Sequence, residues 1–330
     1  MIDACANDGQ YKSAISLLND MEDKYGVEPN DKCYNAAISS CEKAAKWEEA
    51  VKLLRKMTEK GVEPNVLSYS SVISACEKCA EWEKALEFLA EMEEVGIQPN
   101  EYSYSSAISA CEKGKQPDIA LSLLAQMKTT GIRPDVVSYS SAIKACEKGG
   151  ADYTDAALSL FAEMKKAGVS PNDVAYRAII KACFDSKRYF EALQLIREAV
   201  DRHILVNGRS MRIDVYTENG KPKWELASLP EAMACMLLTD ALLSLVAPSN
   251  GGEPPSYQDI IVGTGVGSRA GTENPTGSAL KVKVPAFLND VAGLKTTAIE
   301  GNEGRFLITA TSLEEWVATG AYKKFKSMLE

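Results

Sequence analysis

Along residues 31–207 the apolar side chains fall in short stripes of helical period, and the stripes come in pairs. In 66–100, Tyr69, Val72, Ile73 and Cys76 lie at i, i+3, i+4 and i+7, one face of a first helix. Ala85, Leu86, Leu89 and Met92 draw a matching stripe on a second helix, and Gly96 and Pro99 stop it. Neither helix can bury its stripe alone, so each pair must fold as a hairpin and stack on its neighbours.

The pairs recur in register. Tyr34-Asn-Ala-Ala-Ile-Ser-Ser-Cys-Glu-Lys returns from Tyr69, Tyr104 and Tyr139, with a weaker copy from Tyr176. Each copy closes on Pro and Asn or Asp: Pro29-Asn30, Pro64-Asn65, Pro99-Asn100, Pro134-Asp135 and Pro171-Asn172. Complete repeats therefore run 31–65, 66–100, 101–135, 136–172 and 173–207, after a partial one in 1–30. The fourth carries two extra residues around Gly149-Gly150-Ala151, and the last replaces its closing Gly and Pro, reading His203-Ile-Leu-Val-Asn207. Met1 leads at once into Ile-Asp-Ala-Cys, the middle of a repeat, so the chain is expected to begin inside a hairpin, with any targeting segment upstream.

After Asn207 the period ends. Gly208, Asn219-Gly220 and Pro222 make 208–222 a linker or hairpin. A helix is expected over 229–245, a buried strand at 259–262 running into a glycine-rich loop, a helix over 279–294 and a strand at 305–308. Ser312-Leu-Glu-Glu315 reads as a capping box opening a last helix. The fold class is thus mostly α: a right-handed α-solenoid of helix-turn-helix repeats, then a small α/β sandwich over 223–330.

Composition changes this picture little. At 45% hydrophobic and 25% charged residues the 330-residue chain is that of a folded protein. No stretch approaches the ~18 uncharged apolar residues of a membrane helix. The net charge of −9 weighs against a nucleic-acid partner, although a basic stripe on one face can hide in an acidic total. Cys41, Cys76, Cys111 and Cys146 stand 35 residues apart, which suits buried thiols on a repeated face rather than disulfides. Cys76-x-x-Cys79 resembles half a zinc site, but His203 is the one histidine and no second pair accompanies it, so no metal or other cofactor is expected.

The 35-residue unit, with Tyr-(Asn/Ser) early and Gly-x-x-Pro-(Asn/Asp) at its close, resembles the pentatricopeptide repeat over residues 1–207. Tetratricopeptide repeats run 34 residues on a Trp-Leu-Gly-Tyr pattern absent here. The resemblance implies a single-stranded RNA partner, one base per repeat, read by the fifth and last residues of each repeat. Those pairs are Asn35 with Asn65, Ser70 with Asn100, Ser105 with Asp135 and Ser140 with Asn172; Arg177 with Asn207 departs from the familiar combinations. The carboxylate of Asp135 suits guanine's N1–H and N2–H, the carboxamides of Asn100 and Asn172 suit adenine, and Asn35 favours a pyrimidine. The implied target is C (or U)-A-G-A. Asn or Asp there also serves as a helix N-cap, and Ser as a small packing residue, so the structural reading stands beside the base-reading one. Lys43, Lys78, Lys113 and Lys148, each two residues after the periodic Cys, form either a track for phosphates or a row of solvated helix ends.

The C-terminal segment resembles the small MutS-related (SMR) domain, through Thr264-Gly265-Val266-Gly267, Leu280-Lys281 with Phe287-Leu288, and Gly301-Asn-Glu-Gly-Arg-Phe306. That family's Leu-Asp-x-His reads here Trp224-Glu225-Leu226-Ala227, and its loop serine is Ala270, with Ser268 two residues early. Alanine cannot transfer a proton, so no catalytic residue is assigned and hydrolysis is not expected. Thr264, Gly265, Gly267 and Ser268 would present backbone N–H groups to a phosphate, or form only a tight turn. The combined resemblance implies a role in RNA stability, processing or expression in plastids or mitochondria. An RNA endonuclease acting through the C-terminal domain, or a helical scaffold that binds proteins, is the alternative.

Overall fold

The computed structural model describes residues 10–206, 209–210, 214–218, 221–226, 229–246, 257–263, 275–299 and 305–328. The chain divides into two compact parts, Met1–Pro171 and Asn172–Glu330. In the first, α1 (Tyr11–Asp23) belongs to the partial repeat, and hairpins follow: α2 (Asp31–Lys43) with α3 (Trp47–Glu59), α4 (Val66–Lys78) with α5 (Trp82–Glu94), α6 (Glu101–Lys113) with α7 (Pro117–Thr129), and α8 (Val136–Gly149) with α9 (Thr154–Lys166). The first helices of successive repeats pack side by side, α2 on α4, α4 on α6 and α6 on α8, and so form one continuous layer.

The local chemistry explains the 35-residue period. Two 13-residue helices are joined by a three-residue turn whose middle residue is left-handed (Ala45 φ 52°, Ala80 φ 62°, Lys115 φ 56°). A second left-handed residue, Gly61, Gly96 or Gly131, ends each second helix. Asn65, Asn100 and Asp135 then cap the next first helix, each in a capping box with the serine three residues on. The two extra residues of the fourth repeat form a single 3-10 turn, Ala151–Tyr153, before α9.

The stripes read from sequence are the core: Tyr69, Val72, Ile73 and Cys76 are buried, as are Ala85, Leu89 and Met92. One position differs. Phe88 is buried and Leu86 only half-buried, because Phe88, with Ala85, Leu89 and Met92, completes the i, i+3, i+4, i+7 face. Cys41, Cys76 and Cys111 are fully buried free thiols, and burial pushes each up to about 12.

The second part contains the last repeat, α10 (Asp173–Asp185) and α11 (Tyr189–Asp201), together with the C-terminal elements. These are β1 (Leu205–Val206), β2 (Arg209–Ser210), β3 (Asp214–Glu218), β4 (Lys221–Glu225), α12 (Glu231–Val246), β5 (Ile260–Gly263), α13 (Pro275–Asp290), β6 (Thr297–Ala298), β7 (Arg305–Ile308), α14 (Ala310–Ala318) and α15 (Ala321–Ser327). β1 and β2 pair alone, while a five-stranded sheet runs β3-β4-β5-β7-β6, antiparallel except for the parallel pair β4–β5. Helices and a mixed sheet make this the small α/β unit expected from the element pattern. The repeat boundary at 207 and the division at 171 differ by one repeat, for a visible reason. Phe184 of α10 and Tyr189 of α11 pack against Phe287 of α13, centroids 5.3 and 5.5 Å away, and Phe287 meets Phe325 of α15. The last repeat shares its core with the α/β elements.

The cap expected at Ser312 lies three residues earlier. Thr309 caps α14, accepting from Ser312 N at 3.0 Å, and Ser312 answers through its hydroxyl at 2.8 Å. Gly320 (φ 70°) then divides α14 from α15. Among the described residues, no helix is long and apolar enough to cross a membrane.

Candidate nucleic-acid interface

The predicted base-reading residues sit where successive first helices meet. Asn35, Ser70, Ser105 and Ser140 are 1–5% exposed on α2, α4, α6 and α8, one turn inside each N-terminus. Asn65, Asn100 and Asp135 occupy the N-caps of the following helices. Three pairs come together directly. Asn35 Nδ2 donates to Asn65 Oδ1 at 3.2 Å, Ser70 Oγ to Asn100 Oδ1 at 3.4 Å, and Ser105 Oγ to Asp135 Oδ1 at 3.3 Å. Asn172 caps α10, its side chain accepting from Ala175 N at 2.9 Å, and Ser140 is buried within α8.

A polar ladder links these pairs. Ser68 Oγ donates to Asn35 Oδ1 at 2.6 Å; the hydroxyls of Ser70 and Ser103 lie 2.7 Å apart, and those of Ser105 and Ser138 2.8 Å. Helix capping engages only one of the last residue's two terminal atoms. Asn100 Oδ1 accepts from Ser103 N and Ser103 Oγ, both at 2.9 Å, as well as from Ser70. Asp135 Oδ1 accepts from Ser138 N at 2.8 Å and Ser138 Oγ at 2.6 Å. Capping N–H groups require an oxygen, so the amide of Asn100 has one orientation. That leaves Nδ2 of Asn100, a donor, and Oδ2 of Asp135, an acceptor, without a hydrogen-bond partner among the described residues. Asn65 is more committed, since its Nδ2 donates to Asp31 Oδ2 at 3.4 Å.

Apolar residues that the sequence reading passed over stand beside these atoms. Leu67, Tyr102 and Val137, each the second residue of its repeat, are 55, 45 and 47% exposed. Asn100, Asp135, Ser105, Tyr102 and Val137 line one open cleft of about 470 Å³, together with Ser74, Glu77 and Lys78. The signal was present in the sequence: these apolar residues recur with the 35-residue period but lie off the core stripe. Tyr102 is also tied down. Its hydroxyl donates to Glu42 Oε1 at 3.0 Å and lies 2.9 Å from Ser74 Oγ, and burial pushes its phenol up.

The periodic lysines are mostly paired. Lys78 meets Glu42 at 2.8 Å, Lys113 meets Glu77 at 2.7 Å, and Lys148 meets Glu112, each carboxylate coming from the preceding repeat. Glu42 and Glu112 are buried, and their pairing with lysine meets the cost of removing a carboxylate from water. Lys43 is exposed and has no carboxylate partner among the described residues. Away from the cleft, Tyr69, Tyr139 and Tyr176 donate to Glu91, Glu163 and Glu198 at 2.9–3.0 Å; burial first, then the carboxylate, pushes each phenol up to about 12.

In the C-terminal part, Thr264, Gly265, Gly267, Ser268, Ala227 and Ala270 lie outside the described residues. Trp224 is buried on β4, and Glu225 pairs in register with Gly263 at the end of β5. Among the described residues no group of three or more His, Cys, Asp or Glu could hold a metal ion.

The profile of the PPR repeat family matches residues 1–43, 29–78 and 66–113, the pentatricopeptide repeat domain matches 122–186, and the PPR repeat matches 102–132 and 174–204. No curated protein matches the chain. Similar solved structures include the PPR domain of Arabidopsis thaliana protein-only RNase P 1 in complex with tRNA, at 22% identity and TM-score 0.48, covering 54% of this chain and 92% of that one. Another is the pentatricopeptide repeat protein PPR10 from maize, at 19% identity and TM-score 0.49, covering 99% of this chain and 40% of that one. This chain thus spans about two fifths of the maize protein's length. The matched segments run without a gap from residue 1 to residue 204, and the chain belongs to the pentatricopeptide repeat family.

Proposed function

We propose that the repeats bind single-stranded RNA, one base per repeat, with a core target of C (or U)-A-G-A. The observation that carries this reading is the division of labour within the capping residues. One oxygen of Asn100 or Asp135 is consumed by the helix and by the fifth residue of the preceding repeat. The second atom is left over, and it alone changes character between Asn and Asp. A free amide suits an acceptor on the base edge, such as adenine's ring nitrogen; a free carboxylate suits guanine's N1–H and N2–H. The small fifth-position serines leave room for a purine. Leu67, Tyr102 and Val137 supply apolar walls against which bases pack, and stacking on the aromatic ring of Tyr102 is worth about 1–3 kcal/mol. The fourth pair, Ser140 with Asn172, is assigned by repeat register.

In this reading the protein protects, positions or presents an organellar transcript. The C-terminal part is an SMR-like domain without the hydrolytic histidine, Ala227 standing in its place. The acidity of the repeats favours one other reading. Residues 1–171 hold 27 acidic and 19 basic side chains, so eight of the nine net negative charges lie there, as would suit a scaffold for a basic protein. The two are separated by measuring the affinity of the 330-residue protein for an RNA containing C-A-G-A, a scrambled RNA and the DNA of the same sequence. Preference for the first supports base reading, and equal, negligible affinity for all three favours the scaffold.

A further inference from the structure

Two neighbouring places on the first helices are built on one plan and filled differently. On α2 the buried Glu42 Oε1 accepts from Ser74 Oγ at 3.1 Å, Lys78 Nζ at 2.8 Å and Tyr102 Oη at 3.0 Å. The Tyr102 side chain thus reaches back from α6 to α4 and α2, and its ring is held in one place. One repeat on, Glu77 Oε1 accepts from Ser109 Oγ at 2.9 Å and from Lys113 Nζ at 2.7 Å. The third donor has no counterpart there, because Val137 stands 35 residues after Tyr102 and carries no hydroxyl. Glu77, Ser109 and Val137 all line the open cleft of about 470 Å³, so the volume a phenol would take is left free.

The chemistry of the cleft selects its occupant. The carboxylates of Glu77, Glu101 and Asp135 line it, and Lys78, the cation among them, is already held by Glu42. Such a lining repels a phosphate and suits a neutral ring that carries N–H donors. Asp135 Oδ2 is the acceptor that capping leaves over. Tyr102 adds an aromatic ring that Glu42 has already ordered, so little freedom is lost when a base packs on it.

Resting on the RNA reading, we propose that the Ser105–Asp135 site anchors the strand. A guanine enters this preformed cleft and contributes more affinity than any other base, and Tyr102, tethered to Glu42, is its positioning residue. At the Ser70–Asn100 site the matching space near Glu42 and Ser74 is taken by the Tyr102 side chain, and adenine meets a neutral amide. That base therefore adds less. The second residue of a repeat sets the weight of each site, tyrosine closing the space and valine leaving it open.

The test is a base-by-base scan of the 330-residue protein, using single-stranded RNA carrying C-A-G-A and strands changed at one of its four bases. Replacing the guanine by adenine is expected to cost about thirtyfold in affinity, as befits bonds to a charged acceptor, and each other change at most about tenfold. Val137→Tyr puts a phenol into the cleft and is expected to cut the guanine preference below about threefold, with the second-base preference kept. Tyr102→Phe keeps the ring and removes the tether. It should weaken binding of the guanine strand by about threefold, and of the strand with adenine at that place by less. Circular dichroism would confirm that each variant is folded. Equal costs at all four bases, or an untouched guanine preference in folded Val137→Tyr, overturns the anchor and leaves base reading intact. Equal weakening of every strand by Tyr102→Phe overturns the positioning role. Wild-type protein that binds none of the strands overturns the RNA reading beneath.

Discussion

The interior repeats, 66–100 and 101–135, and the outer complete repeats, 31–65 and 173–207, follow one sequence plan but differ in how their polar groups are satisfied. In the interior, the Tyr69 hydroxyl finds Glu91, which also holds Arg55 at 2.6 Å, and Lys113 finds Glu77. In the outer repeats only some of these positions are served: Tyr176 still finds Glu198, while others go without. Tyr34, fully buried, has no hydrogen-bond partner for its hydroxyl among the described residues, and Lys56 stands where Glu91 stands in the next repeat. Lys43 has no carboxylate partner among the described residues, and His203 (φ 54°) holds the left-handed position that Gly61, Gly96 and Gly131 fill elsewhere. The partner of each repeated side chain comes from a neighbouring position in the series, so a change there strands it. Stranded groups inside the protein cost stability; those on the surface are free to meet a ligand.

The comparison can be broken at three places. Tyr69→Phe removes a hydrogen bond to a carboxylate and should cost about 1.5 kcal/mol in urea unfolding. His203→Gly relieves a left-handed residue and should raise stability by about 0.5–1 kcal/mol, seen as a higher unfolding midpoint. Tyr34→Phe, which removes a stranded hydroxyl and no bond, should not lower stability and should raise it by up to about 0.5 kcal/mol. Equal losses in Tyr69→Phe and Tyr34→Phe would show that the missing acceptor makes no difference between the repeats.

Much of this was legible in the sequence, because periodicity states the same fact several times. Four aligned copies set the hairpins and the buried Tyr and Cys positions, whereas the pairing of fifth and last residues came from the resemblance to the pentatricopeptide repeat. Errors arose where a signal occurred once. Ser312 looked like the cap of α14, whereas Thr309 takes that place and Ser312 is its partner three residues on. The lysine row was read without its neighbours. Glu42, Glu77 and Glu112 recur with the same period one residue earlier, and stacking at 35 residues brings each within reach of the next lysine. The division at 171 was illegible, since it depends on Phe184 and Tyr189 meeting Phe287 from a distant segment.

The central claim is that the uncommitted atom of the capping residue reads the base, and Asn100→Asp tests it most directly. Aspartate caps α6 as well as asparagine does, so the fold and its stability should hold while the free atom changes from donor to acceptor. Affinity for C-A-G-A and C-G-G-A strands should then exchange order, with a shift in preference of about tenfold, the worth of one hydrogen bond of about 1.4 kcal/mol. An unchanged preference for adenine in a folded Asn100→Asp protein would contradict the account and leave Asn100 as a helix cap alone.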